Sequence, residues 1–375
     1  MKFHCHRPSL AAAFGIVGGV VPARTPKEIL RNIRLSAEGE QAILSGTDSE
    51  VGIVYAISGV EVLQPGEVLL PAQRASSILR EMTHEQVTID HDEGMITIAS
   101  GQSEFRLAAE DPQEFPEIAG FEEDSYFKIP AKVLREAIRR TIFAADLEST
   151  RYALGGVLIE PNEAGLTFAA TDSRRLAVCE ISCEREGEPG SGPTSGAVVP
   201  SKALGLIERT LATLEDEDVA WLALRNNDVL VKCGQGTIIS RLVEGRFPKY
   251  RQVIPSDSPI EIPIVAGEFH TAIKQSQILT SEESRGVDFM FEEGTLTLQS
   301  ESASIGASKI AMPIDYRGES LIITFDPKYV GEVLRVLDPA TSFTLHLTDG
   351  DTQIAMRIGT GYTYVVMPLS RDRSK

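Results

Sequence analysis

Residues 166–181, LTFAATDSRRLAVCEI, consist of two apolar runs that enclose a short polar segment. Residues 166–170 and 176–181 are rich in side chains that favour β-strands, and the segment between them begins Thr171-Asp172-Ser173. Asp and Ser suit a tight corner because their short side chains can hydrogen-bond to nearby backbone groups. The stretch therefore predicts two strands joined by a polar corner.

The same pattern returns along the chain. Residues 43–58 carry Thr47-Asp48-Ser49 at the corner, and residues 296–310 form a weaker third copy. A second motif, a strand followed by proline and an amphipathic helix, recurs at Pro71, Pro200 and Pro327. Successive prolines of this motif are 129 and 127 residues apart. Repetition at a fixed period indicates a repeated structural unit. We predict an α+β fold of three units, 1–124, 125–256 and 257–375, each with two helices packed on antiparallel sheets.

The N-terminus allows two interpretations. Lys2 and Arg7 precede an apolar run over residues 10–21, and the following Pro22-Ala23 imitates a cleavage site, which is the outline of a secretory signal. Alternatively, residues 2–6 form a strand that leads into a helix with one apolar face. The repeat favours the strand and helix, because the first unit needs them to be complete.

The charges separate by type of element. The chain of 375 residues has 36 basic and 54 acidic side chains and a net charge of −18, so as a whole it repels DNA. The six predicted helices nevertheless carry 12 basic and 6 acidic residues. If the helices share one surface, that surface is positive and attracts phosphates without regard to base sequence. Charge alone leaves both DNA binding and an ordinary solvated surface open.

Catalysis is the competing class of function. The sequence has no P-loop, dinucleotide-binding, zinc-protease or nucleophile-elbow motif. Asp172 beside Arg174 and Arg175 could be an acid/base pair, but an Asp that stabilises its own turn is the favoured interpretation. His4-Cys5-His6 alternates between strand faces and is a weak metal signal. We expect neither a metal nor a cofactor.

The four cysteines and the hydropathy indicate a compartment. Cys5, Cys179, Cys183 and Cys233 form no C-x-x-C pair, which favours buried thiols in a reducing cytoplasm over a disulfide or a metal site. Apart from the N-terminal run, no segment is apolar and long enough to span a bilayer, so no membrane partner is expected.

In the order of these motifs, the sequence resembles the bacterial DNA sliding clamp family, the β subunit of DNA polymerase III. The resemblance runs from Met1-Lys2-Phe3 through the two corners to LVEGRFPKYR at 242–251 and YVVMPL at 364–369. It implies a non-catalytic homodimer, closed head to tail into a ring around duplex DNA. It also implies that cations on the helices face the DNA; our candidates are Arg24, Arg74, Arg80, Arg135, Arg139, Lys202 and Arg209.

The resemblance further implies a groove for short apolar peptides of the replicative polymerase and the clamp-loader subunits. By this resemblance, the residues of this chain that form the groove are Leu154, Thr171, Ser173, Arg174, Arg175, Leu176, Pro248, Val253, Tyr329, Val365, Val366, Met367, Pro368 and Leu369. An alternative for residues 365–369 is a buried final strand, which is compatible with one face lining the groove. The chain departs from the family pattern at Ser173 and Arg174, which replace a common Gly-His, at Ser284, and in the tail 370–375. These departures leave the peptide preference open.

The implied dimer contact joins the first unit of one copy to the third unit of the other. The apolar residues we expect there are Ile78, Met82, Phe105, Ile278 and Leu279; in a monomer they would belong to the core. Two other functions remain as alternatives, a DNA-processing enzyme on a repeated α+β scaffold and a secreted binding protein.

Overall fold

The computed structural model describes residues 1–148, 153–187, 196–256, 258–280, 285–302 and 304–369. Ser284 and the tail 370–375 lie outside the described residues. Within the described ranges, the α-helices are α1 (Arg7–Val17), α2 (Ala72–Glu81), α3 (Ala131–Thr141), α4 (Ser201–Leu211), α5 (Ala266–Ser276) and α6 (Pro327–Arg335). Short 3₁₀ helices cover Glu28–Arg31, Pro112–Glu114, Ile142–Ala144 and Tyr250–Val253.

The strands account for most of the remaining regular structure. The first half of the chain contributes β1 (Lys2–His6), β2 (Asn32–Glu38), β3 (Gln41–Thr47), β4 (Val51–Ser58), β5 (Glu61–Gln64), β6 (Gly66–Pro71), β7 (Gln86–Asp92), β8 (Met95–Ser100), β9 (Ser103–Ala108), β10 (Tyr126–Pro130), β11 (Gly156–Pro161), β12 (Gly165–Thr171) and β13 (Arg175–Ser182). The second half contributes β14 (Glu184–Glu186), β15 (Ala197–Pro200), β16 (Val219–Leu224), β17 (Asp228–Cys233), β18 (Gly236–Arg241), β19 (Ile260–Val265), β20 (Val287–Glu292), β21 (Thr295–Ser302), β22 (Gly306–Pro313), β23 (Leu321–Phe325), β24 (Ser342–Leu347), β25 (Ile354–Ile358) and β26 (Tyr362–Val366).

The chain folds into two compact units, one of Met1–Arg135 with Cys183–Leu242 and one of Glu136–Ser182 with Val243–Lys375. These units differ from the sequence repeats because strands of neighbouring repeats pair with each other. In unit 1, β4 pairs antiparallel with β18, and in unit 2, β13 pairs antiparallel with β26. Each of these pairings merges strands from two repeats into one sheet.

Unit 1 contains a five-stranded sheet in the order β5-β1-β7-β8-β9 and a nine-stranded sheet in the order β14-β10-β16-β17-β18-β4-β3-β2-β6. The predicted N-terminal strand and helix are confirmed: β1 pairs with β5 and β7, and α1 follows it directly. Leu10, Phe14 and Val17 are each at most 1% exposed, so the apolar face of α1 lies in the core.

Unit 2 contains a sheet in which β11-β12-β13-β26-β25-β24-β19 are successive neighbours, and a four-stranded sheet in the order β22-β21-β20-β23. Its core is aromatic beside α5. Phe269 on this helix packs against Phe289 with ring centroids 6.3 Å apart, and Phe289 meets Phe325 edge to face at 5.1 Å. Such edge-to-face pairs add to the stability that burial of apolar area provides.

The recurring prolines begin helices, as the sequence predicts. Pro71 and Pro200 each end a strand and occupy the N-cap of α2 and α4, whereas Pro327 is the first residue of α6. The missing N–H of proline costs nothing at a helix start, where that group has no intrahelical partner. At α6 the preceding Asp326 adds a side-chain cap, because its Oδ1 accepts from the backbone N–H of Lys328 at 2.9 Å.

The cysteines are largely internal. Cys5, Cys179 and Cys233 are buried, which confirms the expectation for these three, and Cys183 is half-buried. Burial raises the pKa of the Cys5 and Cys233 thiols to about 12 and that of Cys183 to about 11. Thiols with such pKa values are poor nucleophiles at neutral pH, because the thiolate is the reactive form.

Among the helices that the structure describes, none combines the length and the apolar character needed to cross a membrane.

Candidate functional site

The corner between β12 and β13 is held by its own side chains. Asp172 Oδ1 accepts from the backbone N–H groups of Arg174 and Arg175, both at 3.0 Å. Thr171 Oγ1 donates to the Arg175 carbonyl at 2.6 Å and accepts from the Ser173 N–H at 3.1 Å. The interpretation of Asp172 as a turn-stabilising residue is therefore confirmed.

The corner between β3 and β4 repeats this geometry. Thr47 Oγ1 donates to the Val51 carbonyl at 2.8 Å, and Asp48 Oδ1 accepts from the N–H groups of Glu50 at 2.9 Å and Val51 at 2.7 Å. Ser49 and Ser173 both have a left-handed backbone, with φ of 82° and 71°. The sequence repeat is thus also a repeat of hydrogen bonds.

The third copy forms an antiparallel hairpin of β21 and β22, as predicted for residues 296–310. Its turn includes residue 303, which lies outside the described residues.

Arg175 connects the corner to the rest of unit 2. Its Nε donates to Asp172 Oδ2 at 3.0 Å, its Nη2 donates to the Phe143 carbonyl at 2.7 Å, and its Nη1 pairs with Glu332 of α6. The guanidinium also lies over the ring of Tyr329, 4.7 Å from the centroid. With 8% exposure, Arg175 is a buried cation whose donors are engaged from several sides.

The chain leaves β26 beside this corner. The Met367 N–H donates to the Arg174 carbonyl at 2.8 Å, and the Leu369 N–H donates to the Thr324 carbonyl at 2.8 Å. Met367 is 42% exposed and Leu369 is 37% exposed. Two apolar side chains are therefore held at the surface by backbone hydrogen bonds, Met367 to Arg174 and Leu369 to Thr324.

The predicted groove residues divide by exposure. The exposed members are Ser173, Arg174, Val253, Met367 and Leu369, and the half-buried members are Pro248, Tyr329 and Pro368. The buried members are Leu154, Thr171, Arg175, Leu176, Val365 and Val366. Only the first two sets can contact a ligand directly, so the buried set supports the surface from below. Burial of Val365 and Val366 agrees with a final strand that also borders a groove.

Three further predicted groove residues, Val253, Leu154 and Pro248, form backbone hydrogen bonds with residues outside the 171–175 corner. The Val253 carbonyl accepts from Gln353 Nε2 at 3.4 Å, and Ile354, the next residue, pairs with Val366. The Leu154 carbonyl accepts from the Asp146 N–H at 2.9 Å, and the Pro248 carbonyl accepts from the Tyr250 N–H at 2.8 Å.

Sequence reasoning missed four residues that build this region. Phe143 and Glu332 hold Arg175, Thr324 holds Leu369, and Gln353 holds Val253. No local pattern marks them, because their role depends on tertiary pairing. Phe143 and Thr324 act through a backbone carbonyl, and Gln353 acts through its side-chain amide.

Six of the seven predicted DNA-facing cations are exposed, and Arg135 is half-buried. Within the described part of the chain, no carboxylate pairs with Arg24, Arg74, Arg80, Arg139 or Arg209. The other two are paired, because Arg135 Nε lies 3.1 Å from Glu208 Oε1 and Lys202 forms an ion pair with Asp48.

Unit 1 also has a cleft of about 750 Å³ between α1 and α2. Arg31, Arg74 and Arg80 line it together with two carboxylates, Glu28 and Glu110. Two of the predicted DNA-facing arginines therefore border a recess that is large enough for a phosphate group.

The residues predicted for the dimer contact differ in exposure. Phe105 is 40% exposed on β9, Ile278 is 73% exposed just beyond α5, and Ile78 and Leu279 are half-buried. Met82 is 6% exposed and contributes to the core of unit 1. β9 and β22 are edge strands of their sheets.

Among the described residues, no group of three or more His, Cys, Asp or Glu side chains is arranged to hold a metal ion. The N-terminal histidines have other contacts: His4 Nδ1 lies 2.7 Å from Thr88 Oγ1, and His6 Nδ1 lies 3.0 Å from Ser9 Oγ.

Comparison with known proteins agrees with this arrangement. Family models of the DNA polymerase III beta subunit match in three parts, the N-terminal domain at residues 1–119, the central domain at 128–249 and the C-terminal domain at 251–370. The beta sliding clamp of Staphylococcus epidermidis is 32% identical over 85% of both chains, and that of Pseudomonas putida is 29% identical over 98% of this chain and 100% of its own. The crystal structure of the Bacillus subtilis DNA polymerase sliding clamp superposes with a TM-score of 0.90, at 28% identity and over 99% of each chain. The three matched domains cover nearly the whole sequence, and the chain therefore belongs to the DNA polymerase III beta subunit family, the beta sliding clamps.

Proposed function

We propose that two copies of this chain close head to tail into a ring around duplex DNA and act as a non-catalytic processivity factor. The observation that carries the proposal is the set of exposed, unpaired arginines on or beside helices of a chain whose net charge is −18. Acidic proteins repel DNA, so cations that remain free of carboxylates mark the surface that tolerates phosphates. Within this proposal the three sequence repeats are three domains with the bounds 1–124, 125–256 and 257–375. The ring acts in the cytoplasm.

The proposed DNA contact is weak and independent of sequence. Arg24, Arg74, Arg80, Arg139 and Arg209 offer single guanidinium groups to phosphates, with Arg135 and Lys202 partly neutralised by their own partners. Such contacts release counterions and carry no base information. A ring that holds DNA by topology can slide, because no single phosphate contact has to be strong.

The proposed partner site is the groove of unit 2. Val253, Met367 and Leu369 present apolar side chains at the surface. Their backbones are held by hydrogen bonds to Gln353, Arg174 and Thr324, respectively. Apolar pockets with polar backbone nearby suit an extended peptide with a few apolar anchors. We assign this groove to short peptides of the replicative polymerase and the clamp-loader subunits.

The proposed ring closes through sheet edges. β9 of unit 1 and β22 of unit 2 each end a sheet, and an edge strand has unpaired N–H and C=O groups that can pair with another chain. Phe105 lies on β9. Leu279 lies close to β22, because its Cδ1 atom is 4.0 Å from the position that a Cβ would have at Gly306. β9 of one copy would pair with β22 of the next, and the apolar residues would cover the junction.

The test uses topology. The chain is loaded onto a nicked circular plasmid with its clamp loader and ATP, separated from free protein, and the plasmid is then cut once. We expect the protein to stay on the circle and to dissociate after linearisation. Equal retention on linear DNA would contradict the ring, and turnover of the DNA by the chain alone would favour the DNA-processing enzyme.

A further inference from the structure

The cleft between α1 and α2 of unit 1 combines positive charge, unused backbone donors and one buried hydrogen-bond acceptor. We infer that it binds a single nucleotide, with the phosphate at the arginines and the base at Asn32. Its volume of about 750 Å³ lies within the range of small-molecule sites, roughly 300–1,000 Å³. Contacts to the phosphates of a passing duplex would need neither this depth nor a buried acceptor.

Guanidinium groups make one part of the cleft positive. Arg31, Arg74 and Arg80 line it, all three are exposed, and none pairs with a carboxylate of the described residues. Arg209 of α4 comes close to the cleft, since its Nη2 is 2.9 Å from the position that a Cβ would have at Gly19, which also lines it. Guanidinium groups have a planar set of donors that matches the oxygens of a phosphate. The cleft can therefore bind a phosphate through more than one arginine.

The start of α2 adds backbone donors beside Arg74. Pro71, Ala72, Gln73 and Arg74 line the cleft, and they are the N-cap and the first turn of this helix. No side chain of the described residues caps the helix here, and its first turn contains no acidic residue. The N–H groups of a first turn have no partner within the helix and carry partial positive charge. They favour an anion at the same place as the Arg74 guanidinium.

Asn32 supplies the buried acceptor. This residue lines the cleft and is only 2% exposed. Its Nδ2 donates to the Ile29 carbonyl at 3.2 Å and to Glu110 Oε2 at 2.9 Å, so both amide hydrogens are used. Its Oδ1 accepts from no donor among the residues that the structure describes. A buried acceptor favours a ligand with an N–H group, which every nucleobase has at its edge.

The other residues of the cleft limit how much negative charge it can accept. Glu28 and Glu110 also line it, so three arginines less two carboxylates leave a net charge of +1. One oxygen of Glu110 is engaged by Asn32. Val21 and Pro22 add half-buried apolar surface, which suits the face of a base or a sugar. A single nucleotide matches this mixture better than a longer polyanion does.

Two sources can supply such a ligand, an unpaired nucleotide of a DNA strand or a free nucleotide in solution. Both present a phosphate together with a base edge. The proposed ring would bring DNA close to Arg74 and Arg80, which also line the cleft. Only the first source therefore rests on the proposed function, and binding of a free nucleotide can be tested without it.

Isothermal titration calorimetry on the intact protein compares deoxyadenosine monophosphate (dAMP), deoxyadenosine and inorganic phosphate. We expect dAMP to bind about tenfold more tightly than either of the others, because only dAMP has both a phosphate and a base N–H, and one charge-assisted hydrogen bond is worth about that factor. Arg31→Gln should weaken dAMP several-fold and leave the weaker binding of deoxyadenosine unchanged. Inorganic phosphate or deoxyadenosine that binds as tightly as dAMP would overturn the assignment to a nucleotide.

Two helical glycines give a matched test of the cleft. Gly15 of α1 lines it, Gly205 of α4 does not, and a Cβ at either position would meet no neighbouring heavy atom within 4 Å. Both variants should fold, because methionine favours a helix more than glycine does. Gly15→Met extends a side chain into the cleft and should weaken dAMP about tenfold, the loss of one charge-assisted hydrogen bond. Gly205→Met should bind dAMP as the unmodified protein does, and equal affinities of the two variants would overturn the site.

Repeating the dAMP titration in the presence of short duplexes identifies the source. One duplex has a single unpaired, 5′-phosphorylated nucleotide at its end, and the other is blunt and unphosphorylated. Competition by the first duplex alone would identify a DNA strand as the source, and competition by neither would identify the free nucleotide. Equal competition by both would mean that the cleft takes duplex phosphates, which overturns the inference. The ring is judged separately, by retention on circular DNA.

Discussion

At the scale of single residues, the two corners store a small amount of backbone strain. Ser49 and Ser173 have φ of 82° and 71°, a region that glycine adopts freely and other residues avoid. The side chains of Thr47 and Asp48, and of Thr171 and Asp172, hold the chain there by hydrogen bonds. Serine is therefore tolerated because the corner is fixed on both sides.

The strain at Ser173 can be measured. We expect Ser173→Gly to change the free energy of unfolding by less than about 0.5 kcal/mol, since relief of a left-handed conformation that costs a non-glycine residue about 1 kcal/mol offsets the entropy that glycine adds to the unfolded chain. Ser182→Gly in β13 is the control, because this exposed serine has extended backbone and should lose about 0.5–1 kcal/mol. Urea unfolding of both variants checks the difference, and destabilisation of equal size at both positions would contradict the argument.

Asp48 gives unit 1 a sensitivity to acid. Burial alone would raise the pKa of this carboxyl, but the hydrogen bond from Lys202 and those from the backbone of Val51 and Glu50 outweigh it and lower the pKa. A folded-state pKa below the unfolded value stabilises the protein above the unfolded pKa, which is about 4 for Asp. This contribution is lost as the pH falls through the folded-state pKa.

Asp48→Asn should therefore cost about 1 kcal/mol of unfolding free energy at neutral pH, and the difference from the unmodified protein should shrink below about pH 4. Asp92→Asn is the control, since Asp92 is exposed and forms no ion pair in the described part of the chain. Denaturant unfolding at a series of pH values gives both differences. A cost for Asp48→Asn that stays constant through the acid range would show that ionisation of Asp48 is not its source.

At the scale of elements, the sequence predicted what depends on local periodicity. The predicted strand 2–6 has the bounds of β1. The end of α3 is a local detail that this periodicity does not give: the helix stops at Thr141, and the chain tightens into the 3₁₀ turn Ile142–Ala144. The Arg175 contacts could not be predicted, since Phe143 and Glu332 are 32 and 157 residues away along the chain.

Two adjacent arginines test how far burial decides the role of a charge. Arg175→Met leaves Asp172 and Glu332 without their buried cation, and we expect it to cost about 3 kcal/mol. Arg174→Met makes the same change at an exposed position and should cost less than about 1 kcal/mol. Guanidinium chloride unfolding compares them directly, and equal costs would mean that the Arg175 ion pairs add little to stability.

At the scale of the whole molecule, the proposed ring needs a surface that accepts phosphates on a chain that is acidic elsewhere. Arg80→Glu should slow loading on DNA several-fold and lower the salt dependence of binding by about one phosphate contact. Arg185→Glu is the matched control, because it changes the net charge equally at an exposed arginine on β14, a strand that the proposal places neither at the DNA nor at the ring junction. Loading kinetics at several salt concentrations should separate the two variants. Similar loss of loading in both would attribute the effect to net charge.

The proposed ring also requires an apolar contact between two copies, which two exposed isoleucines of unit 2 can test. Ile278 follows α5 near the β22 edge, whereas Ile322 lies on β23 at the opposite edge of the same four-stranded sheet. A charged side chain in an apolar interface without a partner is costly to desolvate, so Ile278→Arg should shift the dimer to monomer, and Ile322→Arg should not. Sedimentation equilibrium gives the solution mass of each variant. A dimer that survives Ile278→Arg but dissociates with Ile322→Arg would place the contact on the β23 edge. We expect Ile278→Arg to lose retention on circular DNA together with dimerisation, because an open half-ring cannot enclose the duplex.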